Sequence, residues 1–221
     1  MGAVANWLFS RLLDFAMRNR ALERYRRATV GAARGIVLEI GVGSGLNLSL
    51  YSANIDHVYA LDPSAELLAM ARRRAAQAAV PVSFVRASAE QLPFPDAVFD
   101  TVVITWTLCS IQHPVAALNE MRRVLKPAGQ LLFVEHGLSP EPGVARWQLR
   151  LTPCWSRFSG GCHLDRKTDD LIRAAGFEIR ALQTGYMRGP KPWTYMYQGA
   201  GGAPVSPNGS GLVRSGTEAG T

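Results

Sequence analysis

One stretch of seven residues constrains this chain more than any other: Glu39-Ile40-Gly41-Val42-Gly43-Ser44-Gly45. It closes a short apolar run, Ile36-Val37-Leu38-Glu39-Ile40, that is bounded by glycines and reads as a buried strand. Glycines at the end of a strand let the backbone turn tightly and approach a ligand closely. A helix beginning just after them offers free N–H groups to an anion. A dinucleotide site would need G-x-G-x-x-G, with its third glycine at position 46, but Leu46 stands there. The spacing is instead G-x-G-x-G, with Glu39 two residues ahead. That carboxylate would repel the phosphates of a dinucleotide and welcome a cationic amino acid group.

Asp62 ends the next apolar segment, His57-Val58-Tyr59-Ala60-Leu61. A carboxylate at the end of a second strand can accept both ribose hydroxyls of a nucleoside. Its plainer use would be in the cap region of the following helix. A nucleoside joined to a cationic amino acid describes S-adenosylmethionine (SAM), which carries both an ammonium and a sulfonium.

The rest of the first two thirds alternates strand and helix. Strands are expected at 36–40, 57–62, 82–87, 99–104 and 130–135. Ser64 caps a helix through about 78, and Pro114 opens one that runs to Leu125 and stops at Lys126-Pro127-Ala128-Gly129. Such alternation argues an α/β fold, a doubly wound parallel sheet with helices on both faces. After the fifth strand the rhythm breaks. Residues 137–164 are rich in Pro, Gly, Trp and Cys, with helix expected only over 143–151. Asp165 is expected to cap a helix ending before Gly176, followed by strands at 177–183 and 193–198.

Composition narrows the function classes. The 221 residues suffice for one domain, and 48% hydrophobic content supports a core. No apolar run reaches the length of a spanning helix, and no signal-peptide pattern opens the chain. Three widely spaced cysteines, Cys109, Cys154 and Cys162, suit a reducing cytoplasm. They offer no disulfide framework or zinc spacing; Cys162-His163 are adjacent, so no metal is expected. Much of the net charge of +7 is local: seven arginines stand in residues 1–35 against Asp14 and Glu23. Residues 6–28 read as one amphipathic basic helix, with Trp7, Leu8, Leu12, Phe15 and Leu22 at helical spacing. It would be either a solvated face or a peripheral contact with an anionic membrane surface.

Residues 36–135 resemble the type 11 family of class I SAM-dependent methyltransferases. The resemblance is carried by Val37–Gly45, Ala60-Leu61-Asp62-Pro63-Ser64, Ala87-Ser88-Ala89-Glu90-Gln91-Leu92-Pro93-Phe94, Phe99-Asp100 and Arg123-Val124-Leu125-Lys126-Pro127-Ala128-Gly129. It implies a Rossmann-like, mostly parallel sheet of seven strands, the last antiparallel between the fifth and sixth. It implies SAM as cofactor, with Gly41, Val42, Gly43 and Gly45 along its methionine part beside Glu39. Asp62 and Pro63 would meet the ribose, Ser88, Ala89 and Glu90 the adenine, and Thr105 the site's floor. Ser88 stands where the family usually has Asp, and Ala128 where it usually has Gly. Further blocks are similar to the membrane-associated alkyl-thiol methyltransferases and to bacterial phospholipid N-methyltransferases. These are Thr107-Leu108-Cys109-Ser110, Phe133-Val134-Glu135-His136, Leu151-Thr152-Pro153-Cys154-Trp155 and Gly160-Gly161-Cys162-His163-Leu164.

The organisation expected is a basic N-terminal helix over 1–30, a methyltransferase domain over 31–200 and a disordered tail over 201–221. Within the domain, 137–164 is a substrate-side insertion in which Trp147, Trp155 and Phe158 would wall an apolar pocket. His136, just past the fifth strand, is the candidate general base, with His113 behind it. The acceptor expected is a small, lipophilic thiol, or an amine or oxygen of a lipid or quinone-like molecule. Nucleic acid is not expected. An RNA methyltransferase is the first alternative and a non-catalytic SAM-binding membrane-surface protein the second.

Overall fold

The computed structural model describes residues 3–204, with side chains from residue 7 onward. Its centre is a seven-stranded sheet in the order β3-β2-β1-β4-β5-β7-β6. The strands are β1 (Gly35–Ile40), β2 (Ile55–Leu61), β3 (Val82–Val85), β4 (Phe99–Thr105), β5 (Leu125–His136), β6 (Glu178–Tyr186) and β7 (Tyr195–Gly202). The first five pair in parallel, and β7 runs antiparallel between β5 and β6. This is the doubly wound topology that the alternation of elements and the family resemblance imply.

Strand alternation sorts the apolar residues into two layers. Leu38, Ile40, Val102, Ile104, Leu131 and Phe133 share one core with helices α4 (Pro114–Val124) and α6 (Thr168–Ala174). Their neighbours Val37, Val103 and Leu132 join the other core, with Val30 of α2 (Arg20–Val30) and Leu68 and Ala71 of α3 (Ala65–Ala75). Helix α4 buries Ala117, Leu118, Met121 and Val124, the i, i+1, i+4, i+7 stripe of a core helix.

Several boundaries differ from the sequence reading, each for a local reason. The single helix expected over 6–28 is two, α1 (Ala3–Met17) and α2. Asn19 breaks it: its extended backbone caps α2, and its side chain accepts from the Ala21 N–H at 2.9 Å. Helix α5 (Pro142–Phe158) runs well past 151 and carries Pro153 inside it. The proline removes one backbone donor, yet the helix continues. Buried Gln148 pins α5 to the sheet: its carbonyl accepts from Ser139 N–H, and its amide donates to the Gly137 and Pro192 carbonyls. Asp165 does not cap α6, which begins after Lys167; it lies 3.4 Å from the His163 ring. A short helical turn, α7 (Lys191–Thr194), occupies the start of the segment read as the last strand. Strand β7 extends to Gly202, two residues into the segment read as tail, and 205–221 lie outside the described residues.

The N-terminal helix is apolar on two sides. Its inward face mixes half-buried Phe9, Leu13 and Met17 with buried Ser10 and Asp14. Its outward face is apolar, with Trp7, Leu8, Leu12 and Phe15 all exposed, Phe15 at 80%. Trp147, Leu149 and Phe158 of α5 are exposed likewise. No described helix is long and apolar enough to cross a membrane.

Candidate active site

A cavity of about 400 Å³ opens at the carboxyl ends of β1, β2 and β4, where ligands bind in open α/β sheets. Gly41, Val42, Gly43 and Ser44 form one wall, Asp62, Pro63 and Ser64 the next, and Ser88, Ala89 and Glu90 a third. Thr105, Trp106, Thr107 and Ser110 come from the end of β4. Phe9, Leu13, Asp14 and Met17 of α1 roof it, and Ser159 and Gly160 after α5 close the rim. Phe9 packs so closely on Gly160 that a Cβ there would lie 2.7 Å from its ring. The two apolar helices therefore meet at the mouth of the cavity.

The glycine loop is shaped by what lies against it. Gly41, at φ +68°, has Thr107 where any side chain would sit. Gly45, at φ +83°, lets α3 approach: a Cβ would come within 2.9 Å of the Ala71 Cα. Asp62 ties the loop to the second strand, its carboxylate accepting from Gly43 N–H at 3.0 Å and Ser64 N–H at 2.8 Å. Burial raises its pKa, and these two donors oppose the rise. A carboxylate has about four lone-pair sites, so two remain for a pair of hydroxyls.

Two of the expected cofactor residues stand one layer back. Gly45 spaces the helix and does not reach the cavity surface, and neither does Glu39. Glu39 accepts from the Asn47 amide at 2.8 Å and from the Tyr51 hydroxyl at 2.9 Å. Burial raises its pKa to about 7, against those hydrogen bonds and the charge of Arg26. It belongs to a network: Asn47 also donates to Thr105 at 3.1 Å and accepts from Arg26 at 2.9 Å.

The charged cavity residues that sequence reasoning missed are Asp14 and Arg26. Arg26 lines the cavity, stacks over the Trp106 ring at 4.8 Å, and has its pKa lowered to about 10 by burial. Trp106 itself holds a left-handed backbone, φ +48°, fixed by its N–H to the Val134 carbonyl. Such a conformation costs on the order of 1–3 kcal/mol in a residue other than glycine. Asp14 accepts from the Ser44 hydroxyl at 2.5 Å and pairs with Arg74 at 2.8 Å and Arg18 at 2.6 Å. Burial would raise its pKa, but Arg74, Ser44 and Arg18 outweigh it and hold the carboxyl at about 2. Both residues were visible only as part of a basic helix; nothing in the spacing says which face turns inward.

The candidate base is elsewhere. His136 does not line the cavity. Its Nε2 lies 3.1 Å from the Cys162 sulfur, and its Nδ1 is buried without a partner. A base must come within hydrogen-bond reach of the proton it takes; here the His136 ring is turned to Cys162 and not to the cavity. His113 is exposed, its backbone N–H held by Glu90, and it too is absent from the lining. Among the described lining residues there is no imidazole and no thiol. Glu135 is occupied: buried, it accepts from the N–H groups of Thr107, Leu108 and Cys109 and so fixes the loop after β4. Trp155 and Phe158 do not line the cavity either; Phe158 faces outward.

Comparison with known proteins accords with this geometry. Residues 38–133 match the model of a methyltransferase domain family. The human thiol S-methyltransferase TMT1B is 35% identical over 178 residues, which cover 73% of this chain and 71% of that protein. A phosphatidylethanolamine N-methyltransferase of Cereibacter sphaeroides is 38% identical over 125 residues, 56% of this chain and 61% of that one. The rat TMT1B is matched over 62% of its length, so the chain spans about three fifths to seven tenths of these curated relatives. Among solved structures, a SAM-dependent methyltransferase from Methanosarcina mazei superposes with a TM-score of 0.60 at 21% identity, covering 76% of this chain and 92% of that one.

Proposed function

Because the chain belongs to the SAM-dependent methyltransferase family, we propose that it methylates a small lipophilic acceptor, with a thiol as the preferred nucleophile, drawn from an apolar surface at the cavity mouth. The observation that carries this reading is the lining itself: an apolar roof of Phe9, Leu13 and Met17, and no imidazole or thiol base among the described residues. When bound, the cofactor supplies a methyl group on a sulfonium already activated for in-line displacement. The acceptor must then be a nucleophile without much help. A thiol is, since a few per cent is thiolate at neutral pH; a phenol would want a base.

The protein's own work is binding and positioning. Asp62 accepts from the ribose hydroxyls, with Pro63 beside it, and Ser88, Ala89 and Glu90 border the adenine. The Gly41–Gly43 backbone and Thr105 lie along the methionine part, where Arg26 offers a guanidinium to the carboxylate. Glu39 and Gly45 act from behind by fixing the loop. Helix α1 excludes water over the reacting atoms.

The exposed apolar faces of α1 and α5 support peripheral contact with a lipid surface, the charge for it coming from Arg11, Arg18, Arg146 and Arg157. The test is SAM consumption by the purified chain against an alkyl thiol, phosphatidylethanolamine liposomes, a quinol precursor and bulk RNA. Turnover with the alkyl thiol, rising with pH as its thiolate fraction grows, is expected. Turnover with RNA alone would overturn the reading.

A further inference from the structure

Three soft or borderline donors meet outside the cavity. Cys109 follows β4, His136 ends β5, and Cys162 lies in the segment after α5. One ligand atom from each, two sulfurs and a ring nitrogen, lie within 4.8 Å of one another. We propose that Cys109, His136 and Cys162 form a binding site for a zinc-class cation, which fastens the segment after α5 to the carboxyl ends of β4 and β5.

The donor set selects the ion. Two sulfurs and one imidazole are the ligands of Zn²⁺ and similar borderline-soft cations, not of Mg²⁺ or Ca²⁺. Ligand atoms about 2.0–2.3 Å from a tetrahedral ion stand roughly 3.3–3.8 Å apart. The 3.1 Å from His136 Nε2 to Cys162 Sγ is close to that already. Three protein ligands leave a fourth position for water.

The surroundings are built around the donors. Cys109 is held at its backbone on both sides: Glu135 accepts its N–H, and its carbonyl accepts from the His163 N–H at 2.9 Å. The Arg166 guanidinium fixes the neighbouring Leu108 carbonyl. The Trp155 indole N–H donates to the Cys162 sulfur at 3.3 Å, the kind of outer contact that orients a thiolate ligand. Leu151, Leu164 and Trp193 close an apolar shell around both sulfurs. Cys154, by contrast, is exposed and far from any such arrangement. Adjacent Cys162 and His163 drew attention in the sequence, but the partner is His136, and spacing along the chain gives no sign of it.

The site goes beyond the methyl transfer and does not rest on it. The test measures bound metal in the purified full chain, uptake of added Zn²⁺ against a chromophoric chelator, and the visible spectrum after Co²⁺ substitution. The expected result is one ion per chain and a thiolate-to-cobalt charge-transfer band. Cys109→Ser and Cys162→Ser should each weaken Zn²⁺ binding by more than about 100-fold, and Trp155→Phe by roughly 10-fold, whereas Cys154→Ser should leave it unchanged. SAM binding by each variant shows that it has folded, and the cobalt spectrum needs no variant at all. Failure of the unsubstituted chain to take up either ion would overturn the proposal. So would Zn²⁺ affinity unchanged in both serine variants, or a Cys109–Cys162 disulfide in the purified protein.

Discussion

Helices α1 and α4 are both amphipathic, yet they bury their apolar residues to different extents. Helix α4 turns Ala117, Leu118, Met121 and Val124 into the core. Helix α1 turns Phe9, Leu13 and Met17 inward beside Ser10 and Asp14, and leaves a second apolar set, Trp7, Leu8, Leu12 and Phe15, outside. One is held by removal of its whole apolar stripe from water; the other is held by half-buried apolar side chains together with a buried carboxylate and its partners. The difference teaches that an apolar stripe marks a helix for burial without saying in what. For α4 the answer is the protein. For α1, half of the apolar residues at helical spacing remain exposed.

The largest test of this contrast is a paired truncation. Met121→Ala on α4 should cost about 2–5 kcal/mol in urea-unfolding stability, while Leu12→Ala on α1 should stay within about 0.5 kcal/mol. Equal losses would collapse the comparison. The site attached to the ordinary body comes next. Asp62→Ala removes two charge-assisted acceptors and should weaken SAM binding about 100-fold by calorimetry; near-normal affinity would sink the ribose assignment.

Smaller effects sharpen the picture of α1. The Asp14 carboxyl is held at about 2 against an ordinary 3.8. A lowered folded-state value stabilises fully above the ordinary pKa and is lost as pH falls through the folded one. Asp14→Asn should therefore lose about 1–2 kcal/mol at pH 7, and the difference from the parent should vanish between about pH 4 and pH 2. A difference that persisted at pH 2 would mean Asp14 acts by packing. Smallest in stability is Phe15→Asp, expected within about 0.5 kcal/mol of the parent. It should nevertheless abolish flotation with anionic liposomes; unchanged flotation would remove the lipid surface from the account.

How much of this was legible follows the same division. Strand β1, its glycine turn and Asp62 were readable because a local pattern specifies them: a short apolar run between glycines, closely spaced glycines after it, a carboxylate at a strand end. The parallel sheet followed from alternation alone. What escaped depends on contacts distant in sequence. Arg26 reaches Asn47 and Trp106, Asp14 reaches Ser44 and Arg74, and Cys109 meets Cys162 and His136. Helicity past Pro153 was hidden because the proline argued against it, while Gln148, which anchors α5, looked like any polar residue. Glu39 lies behind the lining, bound to Asn47 and Tyr51, and the sequence cannot tell a lining carboxylate from one that supports the lining.

Asp14 carries a last consequence. A single carboxylate on α1 holds the hydroxyl of Ser44 in the glycine turn and the guanidinium of Arg74 on α3. Ligand occupancy and the docking of α1 are therefore thermodynamically linked, and linkage is reciprocal. Whatever factor an occupied cavity adds to the docking equilibrium of α1, docked α1 must add to the affinity of the occupant. Any contact that drew α1 away would loosen the occupant by the same measure.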